Sequence, residues 1–488
     1  LHPFPGKTMK DKLKTTIDYL KSRGVNYGDI RYVRAETESI HLTDETVDTL
    51  SKDIDQGFGI RVIADGAWGF ASSSICTAAE MRKVAHRAIN IARASAMTKK
   101  ADVRLAEAKP QSGTYATPFD SDPFKVRLKP KIDLLLQVNK ILKKDKRIKV
   151  AESSMGFFRM HQVFCSTEGA EIEQDILQSG AGYTATAVEG SEVQKRSYPN
   201  SHGGDFGTGG YEIVERMNLL DHAERVREEA IALLSAPPLP AGRRDIVIGG
   251  SQMALQVHES CGHPTELDRV LGTEISLAGG SFLQLDKLNQ LQYGSRIVTI
   301  VADATVPGGL GTFGYDDEGI PARRDLLVRE GLFVGYQTSR ETALAVGRTS
   351  SGAMRADGWN RLPLIRMTNI NLEPGSAEFD DLLADTDGGL LLETNKSWSI
   401  DDQRLNFMFG VEIAWDIKNG QKGQIYKNPL YTGITPEFWN SCDAICNEKY
   451  WHVWGVPNCG KGEPMQTARV AHGTAPARFR NIEVGVTK

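Results

Sequence analysis

The chain has 488 residues, 40% of them hydrophobic and 25% charged, with a formal net charge of -4. That composition is ordinary for a globular protein, and at about 100–200 residues per domain it allows two to four domains, each with a core of its own. It argues against the basic stripe of an electrostatic nucleic-acid binder, and no run approaches the ~18 apolar residues of a membrane span.

Residues 1–6 lack the basic start and apolar core of a signal peptide. Six cysteines are sparse for this length, a pattern of a reduced, cytoplasmic protein rather than a disulfide framework. Met9, Leu13, Ile17 and Leu20 recur at helical spacing and predict an amphipathic helix. Strand-rich sequence follows, and Asp65-Gly66 between apolar arms predicts a hairpin turn. Thr77 and Glu80 have capping-box spacing and open a second helix with Met81, Val84, Ala85, Ala88, Ile89 and Ala92 on one face. Residues 100–125 are polar and aperiodic and read as a connector. A Leu/Ile-rich helix near 128–143 begins a second block. Short strands run to about 190, with turns near Glu168-Gly169 and Gly180, then a glycine-rich loop at 203–210 and a long helix to about 235. The blocks 1–100 and 126–235 share a coarse order without a residue-level repeat.

Ala236-Pro237-Pro238-Leu239-Pro240-Ala241-Gly242 holds three prolines, which neither continue a helix nor join a central strand. The domain boundary belongs there. An N-terminal α/β domain of helices and antiparallel hairpins covers 1–235, and a β-rich domain covers 236–488. Strand runs in the second domain are 245–248, 297–302, 364–372, 390–393 and 407–417, with a hairpin turn at Asn419-Gly420. The fold class is α+β.

After the strand at 245–248 comes Gly249-Gly250-Ser251-Gln252-Met253-Ala254-Leu255-Gln256-Val257-His258-Glu259-Ser260-Cys261-Gly262-His263-Pro264. Ser251 suits a helix N-cap, and His258-Glu259 is expected in the last turns of that helix. The HExxH zinc motif spaces its histidines four apart, ~40° around a helix, whereas a spacing of five puts them ~140° apart. On a regular helix both could not reach one ion. Gly262 tolerates unusual backbone angles, and Pro264 pushes His263 out of the helical region. A break or bulge is therefore expected at 261–263, swinging His263 back toward His258. His258 and His263 would then hold zinc, with Glu259 as catalytic base. The bland alternative is two histidines at a helix end making ordinary hydrogen bonds.

Other groups compete. Cys442 and Cys446, four apart, could share a helix face and bind metal, though such pairs more often pack in a core. His452 and His472 are further possible ligands. Cys261 should point away from His258 and reads as a packing residue. Gly308-Gly309-Leu310-Gly311-Thr312-Phe313-Gly314 lacks a P-loop ending and reads as a flexible loop beside the active site. Asp316, Asp317 and Glu318 read as a solvated turn or a polar edge near the zinc, and His202 as a loop residue.

The segment His258-Glu259-Ser260-Cys261-Gly262-His263-Pro264-Thr265-Glu266-Leu267-Asp268 resembles the signature of the TldD/PmbA metalloprotease family. Arg61-Val62-Ile63-Ala64-Asp65-Gly66-Ala67-Trp68-Gly69-Phe70-Ala71 resembles its N-terminal hairpin, Gly314-Tyr315-Asp316-Asp317-Glu318-Gly319 its acidic turn, and Val456-Pro457-Asn458-Cys459-Gly460-Lys461-Gly462 its C-terminal cysteine loop. The resemblance spans nearly the whole chain, in order. It implies two domains, a dimer enclosing the active sites, and zinc (Zn2+) held by His258, His263 and Cys459, with Glu259 as base. It also implies cleavage of unfolded peptides, including antitoxins and peptide-antibiotic precursors. The active subunit of such pairs often joins a homologue lacking the motif, and this chain resembles the active TldD-type subunit. The expectation is a zinc metallopeptidase of short or unfolded peptides, a homodimer or a heterodimer with a homologous subunit, without nucleic-acid or membrane partners. A non-catalytic, zinc-stabilised binding protein is the alternative.

Overall fold

Asp65 and Gly66 both adopt left-handed backbone angles, φ 51° and 76°, as a two-residue hairpin turn between right-twisted strands requires. In the computed structural model, which describes residues 8–276 and 279–485, that turn joins two strands of one large sheet. Residues 1–6, read above as no signal peptide, lie outside the described residues. The sheet is built from β1 (Tyr27–Thr43), β2 (Thr46–Ala64), β3 (Ala67–Ser73), β4 (Ser112–Ala116), β5 (Ile148–Ser166), β6 (Glu171–Glu189), β7 (Glu192–Tyr198) and β8 (Asp205–Thr208). Its order is β3-β2-β1-β5-β6-β4, with β7 and β8 also pairing with β6.

Each block repeats helix, long hairpin, third strand, helix, and the blocks join where β1 pairs antiparallel with β5. In the first block α1 (Met9–Ser22) and α2 (Ala78–Ala96) bury their apolar stripes against Ile30, Phe58, Ile60 and Val62. The Thr77 hydroxyl caps α2 by accepting from the Glu80 amide at 3.2 Å. In the second block α3 (Leu128–Leu142) packs with α4 (Glu212–Arg216) and α5 (Leu219–Ser235) over Met155, Phe157, Ala181 and Tyr183. Truncating a fully buried leucine such as Leu135 to alanine costs about 2–5 kcal/mol.

Three expectations fail for one reason, strand pairing that local sequence does not announce. Gly180 lies inside β6 rather than at a turn. A Cβ there would sit 2.1 Å from the Phe206 ring, so this glycine admits β8, which itself replaces part of the glycine-rich loop. The connector likewise contains β4, held parallel to β6.

Beyond the prolines, β9 (Gly242–Ile248) enters a seven-stranded sheet, parallel to Leu390–Ile400 and antiparallel to Ala477–Val484. Asn419 and Gly420, φ 52° and 72°, turn Asn406–Lys418 into Gln421–Tyr426. The expected run at 364–372 splits into Leu364–Ile365 and Ile370–Leu372. Helix α6 (Gly250–Val257) leaves β9 and is buried along most of its length. The fold is mixed α+β. No helix among the described residues is long and apolar enough to cross a membrane.

The segment 308–318 is fastened rather than flexible. Gln162, Gln174 and Gln178, spaced along the large sheet, donate to Asp317 Oδ1, the Tyr315 carbonyl and the Leu310 carbonyl at 2.8–2.9 Å. Asp316, Asp317 and Glu318 are buried, not solvated. Asp316 accepts from the Glu318 and Ile320 amides, Asp317 pairs with Arg31, and Glu318 accepts from the Arg340 amide.

Candidate metal centre

Ser251 does not cap α6; Gly249 holds the N-cap position in extended conformation, and Ser251 lies inside the first turn. The helix ends at Val257, and the chain widens into a π-turn over His258–Gly262, then tightens into a 3-10 turn over His263–Thr265. The bulge thus begins at His258 itself, earlier than 261–263. The His263 amide donates to the His258 carbonyl, an i→i+5 closure. That extra residue per turn is what lets histidines five apart lie one above the other. Their ring centroids are 4.9 Å apart and nearly perpendicular, at 87°.

A widened turn loses regular partners for its carbonyls, and buried carbonyls must find others. Tyr293 OH donates to the Ser260 carbonyl at 2.8 Å. Thr265 Oγ1 donates to those of Cys261 and Gly262 at 2.8 and 2.9 Å. Gln337 Nε2 also donates to the Gly262 carbonyl, at 2.9 Å. Cys459 arrives from the strand His452–Lys461, whose pairing with Gln466–Thr474 shifts register between Val456 and Cys459. Its Sγ lies 3.7 Å from His263 Nε2. One ligand atom from each of His258, His263 and Cys459 lies within 4.8 Å of the others, and all three residues are buried.

The neighbours orient these donors. His472 Nδ1 is 3.1 Å from the Ile370 carbonyl, and His472 Nε2 is 2.8 Å from His258 Nδ1. A carbonyl only accepts, so His472 carries its proton on Nδ1 and accepts at Nε2. His258 then donates from Nδ1 and keeps a lone pair at Nε2. His263 Nδ1 lies 3.0 Å from Glu266 Oε2. A carboxylate accepts in the same way, leaving His263 Nε2 free toward Cys459. Glu266 is steadied in turn by Lys461, 3.4 Å away, which also donates to Asp268 at 2.8 and 2.9 Å.

Burial holds His258 below its ordinary pKa, and His263 and His472 well below it, so the imidazoles are neutral. Burial pushes the Cys459 thiol up, the Arg366 guanidinium pulls it down, and the thiol ends below its ordinary value. Two oriented imidazole nitrogens and an acidified thiol form the donor set of a borderline-soft divalent cation. A partner on each Nδ1 is the arrangement found around metal-ligating histidines. Glu259, next to His258, is also buried and is ion-paired with Arg404.

The competing residues lie elsewhere. Cys442 sits in the strand Cys442–Ile445, not on a helix, and both Cys442 and Cys446 pack in the core with Cys261. His452 Nε2 is 2.7 Å from Asp205 Oδ2, tying β8 to the cysteine-bearing strand. The His202 amide donates to Asn200 Oδ1, and its ring lies edge-on to Trp398. Sequence reasoning counted His472 only as a rival ligand and gave no role to Glu266 or Arg404. Glu266 carried a local signal, being three residues beyond His263 before a helical turn. Arg404 carried none.

Models of the PmbA/TldA metallopeptidase match the chain three times: domain 1 at 28–92, the central domain at 121–234 and the C-terminal domain at 241–486. A protein of Methanocaldococcus jannaschii named metalloprotease MJ0996 is 28% identical over 89% of this chain and 92% of its own. A Haemophilus influenzae protein named metalloprotease TldD homolog is 26% identical over 99% and 98%. Among solved structures, a Thermotoga maritima protein described as a candidate modulator of a DNA gyrase superposes with TM-score 0.77 at 17% identity, over 98% of this chain and all, 100%, of its own. TldE from Thermococcus kodakarensis does so with TM-score 0.73 at 17% identity, over 97% and 100%. These two likenesses are of fold. The chain belongs to the TldD/PmbA metallopeptidase family.

Proposed function

We propose that this protein is a zinc metallopeptidase that hydrolyses short or unfolded peptides. The supporting observation is the convergence of His258, His263 and Cys459, with Glu259 on the same turn and each imidazole's Nδ1 already occupied. Three protein donors rather than four form the ligand set of a catalytic site rather than a closed structural one. A purely structural ion would also need no buried carboxylate beside it. When bound, zinc supplies Lewis acidity, polarising the scissile carbonyl and making water a better nucleophile. Glu259 takes a proton from the attacking water on a carboxylate oxygen and delivers it to the leaving amine nitrogen. His472 and Glu266 hold the ligand imidazoles in one tautomer. Burial of all these groups excludes bulk water. Family membership and the likeness to TldE favour a dimer with a second copy or a homologous subunit. Six cysteines without a disulfide suit a reducing cytoplasm.

Glu259→Gln keeps the shape of the side chain but cannot take the water's proton. Zinc content should stay at the wild-type level while kcat falls about 10²–10⁴-fold. A loss smaller than tenfold with zinc retained would remove Glu259 from the mechanism.

A further inference from the structure

Among the described residues, the cation that Glu259 touches is the guanidinium of Arg404. Arg404 lies in the turn between the strands Leu390–Ile400 and Asn406–Lys418, and that turn is unusually well fastened. Asp401 accepts from the Leu405 and Asn406 amides at 2.8 and 3.0 Å, and from Asn406 Nδ2 at 2.6 Å. The Arg404 amide donates to the Asp401 carbonyl at 2.9 Å, and Thr435 Oγ1 donates to the Arg404 carbonyl at 2.9 Å. Arg404 itself is left-handed, φ 63°, a conformation that L side chains adopt at a cost and that persists where the surroundings over-determine it.

The guanidinium therefore reaches the catalytic turn from a fixed base. Its Nε is buried and has no hydrogen-bond partner among the described residues. A buried charged donor left unsatisfied is costly, so an oxygen of water or of a ligand must meet it in the working site. His258 Nδ1 and His263 Nδ1 already face His472 and Glu266, and on the peptidase reading their Nε2 atoms would go to the metal. Arg404 has five N–H groups in a rigid fork, of which Glu259 takes one.

We propose that Arg404 is a further catalytic residue, the donor that binds the carbonyl oxygen of the scissile peptide and holds the charge that builds on it. This rests on the peptidase reading above. As the water oxygen bonds to the carbonyl carbon, its proton passes to Glu259, and the C=O π pair moves onto the oxygen. Arg404 donates hydrogen bonds to that oxygen and gives up no proton. The pair then returns, the C–N bond breaks, and the amine leaves with the proton from Glu259. A preorganised donor aimed at developing charge in a buried site needs no reorganisation during the reaction.

The test compares zinc-loaded wild type, Arg404→Ala and Arg404→Lys, each checked for zinc content and thermal melting. The ligands are a cleavable peptide and its phosphinic analogue, whose tetrahedral oxygens copy the charged state. In Arg404→Ala we expect wild-type zinc content, a kcat loss of about 10²–10³-fold and KM within about threefold. Phosphinic-peptide affinity should fall about tenfold or more while affinity for the uncleaved peptide changes little. Arg404→Lys should recover only a small part, since an ammonium lacks the fork; guanidinium ion added to Arg404→Ala should restore turnover. Equal losses for both ligands, no loss of phosphinic affinity, or loss of zinc in both variants would overturn the assignment. If wild type binds the phosphinic peptide but cleaves nothing, the peptidase reading falls, and the two affinities still decide Arg404.

Discussion

His258 shows how a buried imidazole is held in one tautomer. A free imidazole can carry its proton on either nitrogen, and only the partner on one nitrogen settles which. Here the Ile370 carbonyl settles His472, and His472 settles His258. The same burial has a consequence for stability. His258, His263 and His472 are all held below their ordinary pKa, by burial first. Below about pH 6.5 the unfolded chain binds protons that the folded chain refuses. The stability of the metal-free protein should therefore be full above about pH 6.5 and fall as pH drops through it. The slope is at most about 1.4 kcal/mol per pH unit for each histidine. Urea titrations at pH 7.5, 6.5 and 5.5 would show it, and His472→Gln should be the less steep by one histidine. An unchanged slope in that variant would mean that His472 is not a buried neutral base.

The element that makes the centre is the π-turn at His258–Gly262. Its existence followed from the spacing of five, not from Pro264, since His263 stays in the right-handed helical region at φ -62° and ψ -45°. Its starting point did not, because Tyr293, Thr265 and Gln337 are the groups that satisfy the displaced carbonyls, and two of these come from distant chain segments. Gly262 is needed for space, not for an unusual φ. A Cβ there would fall 2.1 Å from Met367 Sδ. Gly262→Ala should cost about 1–3 kcal/mol by overpacking and lower zinc occupancy, because relief of the clash must move either the turn or Met367. Equilibrium unfolding and metal analysis on one preparation test this; wild-type stability together with wild-type zinc would show that the turn has slack.

For the whole molecule, the two halves are joined by ion pairs and by hydrogen bonds from glutamine side chains, not by an apolar seam alone. Arg61 pairs with Asp29 at 2.6 Å and reaches Glu318 at 3.7 Å, while Gln162, Gln174 and Gln178 hold the segment 310–317. The centre is enclosed: His258, Glu259, His263 and Cys459 are each only 4–5% exposed. A folded domain cannot bring a backbone carbonyl to such a centre, whereas a single extended strand can. A stable globular protein mixed with its denatured, alkylated form should therefore lose only the denatured form to cleavage. Equal digestion of both would contradict this restricted access.

Periodicity placed α1, α2 and α3 and the Asp65-Gly66 and Asn419-Gly420 turns, because their causes are local: apolar residues at helical spacing and backbone angles that few residues tolerate. Pairings between distant segments were not legible. β4 against β6, Gly180 as the space for Phe206, and the burial of Asp316, Asp317 and Glu318 all depend on neighbours more than 20 residues away in the chain. The candidate centre divides the same way. His258, Glu259 and His263 lie within one short stretch, so their order alone pointed to a metal. Cys459 could be named from the sequence only through family resemblance. Tertiary structure alone made His472 a partner of His258 rather than a rival ligand and brought in Arg404, since a hydrogen-bond partner is chosen by position in space and leaves no trace in spacing.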